Sequence, residues 1–142
     1  MALKTKTAKS KTNATLVTSK RAAAVKEFLD GKTGAAGTPI PGARGPGTGA
    51  RLYKIFGKMF AIYSPQGSAF VTVKCDPHLV EILKEKYDGV GHRGHLDRRF
   101  WICVRIDEDV PLAEIKRVIA LSYGLVAATL TKKQQAELAA LD

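Results

Sequence analysis

Three short β-rich runs in the middle of the sequence constrain the fold most strongly. The runs are Arg51–Phe56, Lys58–Tyr63 and Ala69–Lys74. Gly57-Lys58 separates the first two, and a Gly-X pair of this kind suits a type II′ turn. Pro65-Gln66-Gly67 separates the second run from the third. Because such short connections join antiparallel neighbours, the pattern predicts a three-stranded meander.

Helical patterns lie on both sides of the meander. Ser19 is placed to cap a helix over Lys20–Asp30, whose apolar residues recur on one stripe. Asp76-Pro77 predicts the start of a second helix, since aspartate caps well and a proline at the first helical position loses no hydrogen bond. Asp88–Asp97 is polar and contains glycine, which predicts a loop.

The C-terminal part predicts one more strand and two more helices. Arg99–Ile106 alternates between two faces, as a strand does. Asp107–Asp109 with Pro111 predicts the start of a helix that continues to about Thr129. Thr131 to Gln134 matches a capping box for a last helix. Strands and helices do not alternate regularly. The order therefore predicts an α+β domain of two layers, with a mostly antiparallel sheet packed on helices.

Composition divides the chain into segments. Residues 1–19 contain almost nothing that could be buried and are predicted to be a disordered basic tail. Residues 20–30 form the predicted N-terminal helix, and residues 31–50 are predicted to be a linker, because their Gly and Pro content favours neither a helix nor a strand ladder. Residues 51–142 are predicted to form the folded domain.

The net charge of +10 is unevenly distributed. Residues 1–50 hold nine Lys or Arg and two acids, residues 51–105 hold ten and five, and residues 106–142 hold four and six. A positive front and a slightly negative back predict an anionic partner on one side of the protein.

Several classes of protein receive no support from the sequence. No apolar run approaches the roughly 18 residues that span a bilayer, and the N-terminus lacks the apolar core of a secretory signal. We therefore expect a cytoplasmic protein without contact to a membrane. Cys75 and Cys103 lie in no metal or redox motif and are predicted to be buried thiols. No glycine pattern matches a nucleotide-binding loop, and no cofactor is expected.

Four segments carry a family resemblance. They are Lys58-Met59-Phe60-Ala61, Val71 to Pro77 (VTVKCDP), His95 to Arg105 (HLDRRFWICVR) and Leu121 to Val126 (LSYGLV). In order and spacing they are similar to the MmcQ/YjbR family over residues 51–130. The resemblance implies a compact fold of the CyaY-like type. It also implies DNA binding, which is usually attributed in this family to hairpin wings.

The candidate DNA-binding residues are basic side chains of the meander, of the loop before the last strand and of that strand. They are Arg51, Lys54, Lys58, Lys74, Arg93, His95, Arg98, Arg99 and Arg105. Lys and Arg supply most of the affinity for DNA by neutralising phosphates. If the hairpin and the loop point the same way, these residues form one cationic surface. The alternative is that they are solvated charges that protect a sheet edge.

The other motifs leave alternatives open. Trp101 could stack on a base, or it could be a core or sheet-face aromatic residue, of which the core is favoured. Tyr53 and Tyr63 have the same ambiguity. His92 and His95 lack further ligands at metal spacing, so no metal site is predicted. Lys4, Lys6, Lys9 and Lys11 would add affinity for any polyanion.

Two alternatives to DNA binding remain. One is an adaptor or regulator that binds an acidic protein or a small ligand through the same face. The other is an enzyme, which would need a pocket that joins His95, Cys103 and Tyr123. We expect no catalytic residues, since Cys103 lies in an apolar strand and Ser122 lies within a helix.

Overall fold

The computed structural model describes residues 18–40, 49–65 and 67–141. Most of the predicted tail and Gln66 of the predicted turn lie outside the described residues. The helices are α1 (Lys20–Asp30), α2 (Pro77–Lys86), α3 (Leu112–Ala127) and α4 (Lys132–Ala140). The strands are β1 (Ala35–Pro39), β2 (Arg51–Ile55), β3 (Lys58–Ser64), β4 (Phe70–Lys74), β5 (Val90–Gly91) and β6 (Trp101–Arg105).

The six strands form one antiparallel sheet in the order β1-β2-β3-β4-β6-β5. One sheet face and the helices share a single hydrophobic core. The helices contribute Val25, Leu83 and Ile119 to it, and the sheet contributes Val73 and Ile102, all nearly or fully buried. The predicted two-layer α+β fold is confirmed.

The helix starts agree with the capping residues in the sequence. Ser19 Oγ accepts a hydrogen bond from the Ala22 amide, and Asp76 accepts one from the amide of His78. Thr131 and Gln134 form a full capping box. Each cap satisfies amide groups that have no partner in the first helical turn. Local side-chain chemistry therefore sets where these three helices begin.

The prediction that residues 31–50 form only a linker is wrong, because β1 lies within them and pairs with β2. Gly37 lies directly opposite Tyr53, and a Cβ atom at Gly37 would come 2.6 Å from Cε1 of that ring. Glycine therefore lets the tyrosine ring cover the strand. Pro39 ends an edge strand, where a missing amide hydrogen costs little. Glycine and proline, which are disfavoured in the middle of a sheet, are therefore tolerated in this edge strand.

Two further local predictions need correction. The β2–β3 turn is centred on Phe56 and Gly57, both with positive φ (47° and 79°), and Lys58 already pairs with Ile55 in the ladder. This is the pattern of a type I′ turn rather than the predicted type II′ turn. The loop predicted over Asp88–Asp97 contains the short strand β5.

Asp109 explains why β5 forms. Its carboxylate accepts hydrogen bonds from the backbone amides of Asp88 and Gly89, at 2.8 and 2.7 Å. These bonds lower the pKa of Asp109 below its usual range, the contact with the Asp88 amide having the largest effect. The chain is thereby held against β6, and Val90 and Gly91 pair with Val104 and Cys103.

Candidate nucleic-acid interface

The second face of the sheet lies opposite the helical layer. Paired residues of neighbouring strands share a face, and successive residues alternate between faces. Tyr53, Ala61, Val73 and Ile102 form a buried row on the helix side. The residues between them form the opposite surface, which we call the open sheet face: Leu52, Lys54, Ile62, Phe70, Thr72, Lys74, Trp101, Cys103 and Arg105.

The open sheet face combines partly exposed apolar residues with basic residues. Leu52, Ile62, Phe70 and Trp101 are half-buried, whereas most apolar residues on the helix side are fully buried. The register places a cation beside each aromatic ring, since Phe70 pairs with Arg105 and Trp101 pairs with Lys74. None of the residues that define this face is acidic.

The basic side chains of this surface are not neutralised within the described part of the chain. Lys54, Lys74 and Arg105 make no ion pair with any acid there. Of the described acids near the β5 edge, Asp109 binds backbone amides, whereas Asp88 lines a small cleft together with Arg93 and Arg105. The face therefore carries more basic than acidic side chains, and its lysines and arginines are free of ion pairs with described acids.

Arg93 adds a fourth cation from outside the strands. It follows β5, yet its guanidinium carbon lies 4.5 Å from the centroid of the Phe70 ring on β4. Since β6 lies between β5 and β4, the Arg93 side chain crosses the open sheet face over β6. Its charge acts on the Cys103 thiol beneath it. Arg93 is exposed and so remains available to a ligand.

The loop before β6 carries the other predicted cations. His95, Arg98 and Arg99 are exposed there. Arg99 is already paired, because its Nε and Nη2 atoms donate to the two Asp97 carboxylate oxygens at 3.1 and 2.8 Å. These hydrogen bonds lower the pKa of Asp97 to about 2. His95 and Arg98 are therefore the better candidates in this loop.

Arg51 and Lys58 do not join the open sheet face. Arg51 pairs with Tyr63 on the helix side, and its guanidinium donates to the Gly37 carbonyl. Lys58 Nζ donates to the backbone carbonyl and the hydroxyl of Thr129, at 2.9 and 3.3 Å. The nine predicted residues thus occupy three places. Lys54, Lys74, Arg93 and Arg105 lie on the open sheet face, and His95, Arg98 and Arg99 lie in the loop before β6. Arg51 and Lys58 lie on the helix side.

The aromatic residues of the sheet lie on both of its faces. Tyr53 donates its hydroxyl hydrogen to Asp30 and Tyr63 donates to the Ala22 carbonyl, both at 2.7 Å, so both belong to the core. The preference for a core position of Trp101 is wrong, because it lies half-buried on the open sheet face. Phe70 was not singled out from the sequence. Its alternation with Thr72 and Lys74 is the signal that could have identified it.

No metal-binding cluster is found among the described residues. They contain no group of three or more His, Cys, Asp or Glu side chains that could hold a metal ion. His92 lies 3.2 Å from the Trp101 carbonyl oxygen through Nδ1. It lines a cleft of about 60 Å³ together with Asp88, Gly89, Gly91, Arg93, Cys103 and Arg105.

The three residues needed for the enzyme hypothesis lie apart. Cys103 faces the cleft on the open side, Tyr123 donates to the Thr33 carbonyl on the helix side, and His95 lies in the exposed loop. Both cysteines are buried and free. Burial raises the pKa of the Cys103 thiol, against the opposing effects of Thr72 and of two arginines. This agrees with the expectation of an unreactive thiol.

Ser122 has a structural position that links the helical layer to the open face. The β3–β4 ladder ends at Ala61 and Val73, so Phe60 and Lys74 would be the next pair. The Ser122 hydroxyl lies between them: it donates to the Phe60 carbonyl at 2.7 Å and accepts from the Lys74 amide at 2.9 Å. A serine of α3 thus fixes the backbone of Lys74.

The fold and the site define a small α+β protein with a cationic, partly apolar sheet face. The chain belongs to the YjbR family, whose family model matches residues 41–125. The resemblance seen in the sequence is therefore confirmed. None of the helices described over residues 18–40 and 67–141 is long and apolar enough to cross a membrane.

Known relatives agree with this assignment. The chain is 29% identical over 85 residues to the uncharacterized protein YbdF of Escherichia coli O157:H7, covering 59% of this chain and 70% of that protein. A crystal structure of a Deinococcus radiodurans protein with a DUF419 domain superposes with a TM-score of 0.69, at 23% identity, over 81% of this chain and 85% of that one. A crystal structure of a Pseudomonas syringae protein superposes with a TM-score of 0.58, at 20% identity, over 71% of this chain and 97% of that one. Both structural similarities concern the fold.

Proposed function

We propose that this protein is a cytoplasmic DNA-binding protein of low sequence specificity, without catalytic activity. The observation that carries the proposal is the open sheet face. There Lys54, Lys74, Arg93 and Arg105 gather on one surface and make no ion pair with a described acid. Affinity for DNA depends largely on cations of this kind, which release counterions when they neutralise phosphates.

The loop before β6 extends this surface. Exposed His95 and Arg98 follow Arg93 in the chain and lie next to the start of β6. Phosphate contacts from such side chains position DNA but carry no sequence information. Hence the proposal is one of broad rather than sequence-specific binding. The helix side, where Arg51 and Lys58 donate to backbone carbonyls, is not part of the proposed surface.

The expected result is that the full chain binds DNA and that its affinity falls steeply as salt increases. The measurement is fluorescence anisotropy of a labelled partial duplex with a single-stranded overhang, over a series of salt concentrations. Two unrelated sequences should bind with affinities within about threefold of each other, because phosphate contacts dominate. The absence of binding at low salt, or tight binding that ignores salt, would contradict the proposal.

A variant of the full chain separates the contribution of the folded domain to DNA affinity from that of the basic N-terminal segment. Replacing Lys4, Lys6, Lys9 and Lys11 with glutamine in the full chain removes four charges. We expect the variant to retain salt-dependent binding with a shallower dependence, since each lost phosphate contact lowers the slope of log K against log salt by about 0.7–0.9. Complete loss of binding would show that the tail alone attracts DNA.

The full chain is needed for these tests. A chain that begins at Arg51 would lack β1 and α1, and α1 contributes Ala22, Val25 and Leu29 to the core, all with 0% exposure. Its loss of binding would then report unfolding rather than the role of the tail.

A further inference from the structure

We infer that the open sheet face binds single-stranded DNA in preference to duplex DNA, by stacking exposed bases on Trp101 and on the Phe70–Arg93 pair. This inference rests on the proposed function and names the form of DNA that the same face selects. The preference for single strands follows from the apolar and aromatic residues of the face rather than from its charge.

The first argument is the mismatch between the apolar residues of the face and a duplex surface. A duplex presents phosphates outwards and is usually read by an element that enters a groove, such as a helix or a two-stranded ribbon. The open sheet face instead carries half-buried Leu52, Ile62, Phe70 and Trp101 between its basic residues. Phosphates gain nothing from such side chains, whereas unpaired bases can stack on them.

The second argument is the regular pairing of rings and cations. Trp101 lies opposite Lys74, and Phe70 lies opposite Arg105, on adjacent strands about 4.8 Å apart. The two pairs are four residues apart along β4, which corresponds to about 13 Å. Each pair therefore provides a surface for a base beside a charge for the neighbouring phosphate. Proteins that bind single strands combine these two elements.

The third argument is the position of Arg93. Its guanidinium carbon lies 4.5 Å from the Phe70 ring centroid, and the residue is exposed. Bases stack on arginine guanidinium planes as well as on aromatic rings. Arg93 can thus contribute both a stacking surface and a charge above Phe70, and no described acid pairs with it.

Intrinsic fluorescence tests the inference directly, because Trp101 is the only tryptophan among the 142 residues. The full chain is titrated with oligothymidylate of about 12 nucleotides, within the range of site sizes of single-strand-binding folds, and separately with a duplex of the same length. We expect the oligothymidylate to quench Trp101 and to displace labelled duplex. A preference for duplex, or binding of the single strand without quenching, would overturn the inference.

Two variants separate stacking from charge. Trp101→Leu should weaken single-strand binding by roughly 5- to 150-fold, corresponding to a stacking contribution of about 1–3 kcal/mol, with little change for the duplex. Phe28→Leu is the control, since Phe28 is a half-buried aromatic residue of α1 in the helical layer, away from the open sheet face. Phe70→Leu should weaken single-strand binding as well. Equal losses for Trp101→Leu and Phe28→Leu would contradict stacking on this face.

The outcomes for the two proposals are distinct. Binding of duplex with the greater affinity rejects the inference and leaves the proposed function intact. Failure to bind either form at low salt rejects both. If Trp101→Leu does not fold, the quenching of the unmodified chain and the Phe70→Leu variant still decide the question.

Discussion

Replacing Ser122 with alanine is expected to lower the free energy of unfolding by about 2–4 kcal/mol, since two backbone groups lose their partner within the protein. Ser122 is fully buried, and its hydroxyl joins the Phe60 carbonyl to the Lys74 amide. Alanine fits the space but offers neither a donor nor an acceptor. Urea unfolding followed by circular dichroism measures the change.

Ser64→Ala is the matched control for this prediction. Ser64 lies half-buried at the end of β3, and the described residues give its side chain no hydrogen bond that the change would break. Its effect should stay within about 0.5 kcal/mol. A loss below 1 kcal/mol for Ser122→Ala would mean that β3 and β4 close and pair directly without the serine.

Alkaline pH is expected to destabilise the protein strongly between pH 9 and 12. Burial is the main cause of the raised pKa values of four groups in the fold, Cys103 among them. It raises the pKa of Cys75 from 9.0 to about 11 and that of Tyr63 from 10.0 to about 12. It also raises the pKa of Tyr53, which in addition donates to the Asp30 carboxylate.

The direction follows from the linkage between proton binding and folding. A raised folded pKa means that the unfolded chain loses its proton first, so stability is complete below the unfolded value and falls as pH rises towards the folded value. Each group contributes about 1.4 kcal/mol per pH unit. We expect a loss of about 4–5 kcal/mol by pH 11 for Cys75, Tyr53 and Tyr63 together.

The measurement is urea unfolding under reducing conditions at a series of pH values from 8 to 11. Tyr63→Phe provides the comparison. It should lower stability at pH 8 by about 1 kcal/mol, because the hydrogen bond to Ala22 is lost, and it should then lose stability less steeply above pH 10. Parallel pH curves for the two proteins would contradict the assigned role of Tyr63.

Much of the fold could be predicted from the sequence because local signals agree with it. Serine, aspartate and threonine are favoured at the N-cap of a helix. Ser19, Asp76 and Thr131 occupy that position here and cap their helices. The alternation in β6 places Ile102 and Val104 on one face of the strand, and both are buried. These features depend on neighbours in the sequence.

The remaining features depend on distant contacts. β1 forms because Gly37 leaves room for the ring of Tyr53. β5 forms because the Asp109 carboxylate accepts a hydrogen bond from the amide of Gly89, which lies 20 residues earlier in the chain. Neither contact can be read from the local composition.

The candidate site shows the same limit. Charge alone grouped nine residues, but only the register of the strands reveals that Arg51 and Lys58 lie on the helix side. The register also brings Phe70 and Trp101 together with Lys74 and Arg105. Arg93 joins them by crossing β6, which no spacing in the sequence indicates.

The central claim is that the open sheet face, rather than the net charge, binds DNA. The most direct test compares two variants of the full chain that lose the same charge. The face variant carries Lys54→Gln, Lys74→Gln and Arg105→Gln. The control variant carries Lys20→Gln, Lys132→Gln and Lys133→Gln, at exposed positions on α1 and α4.

The salt dependence of DNA binding is measured by anisotropy for both variants and for the unmodified chain. For the face variant, we expect affinity to fall at least about tenfold and the slope of log K against log salt to decrease by about 2–3, while the control stays within about twofold. Equal losses in the two variants would show that DNA is attracted by net charge alone and would contradict the claim.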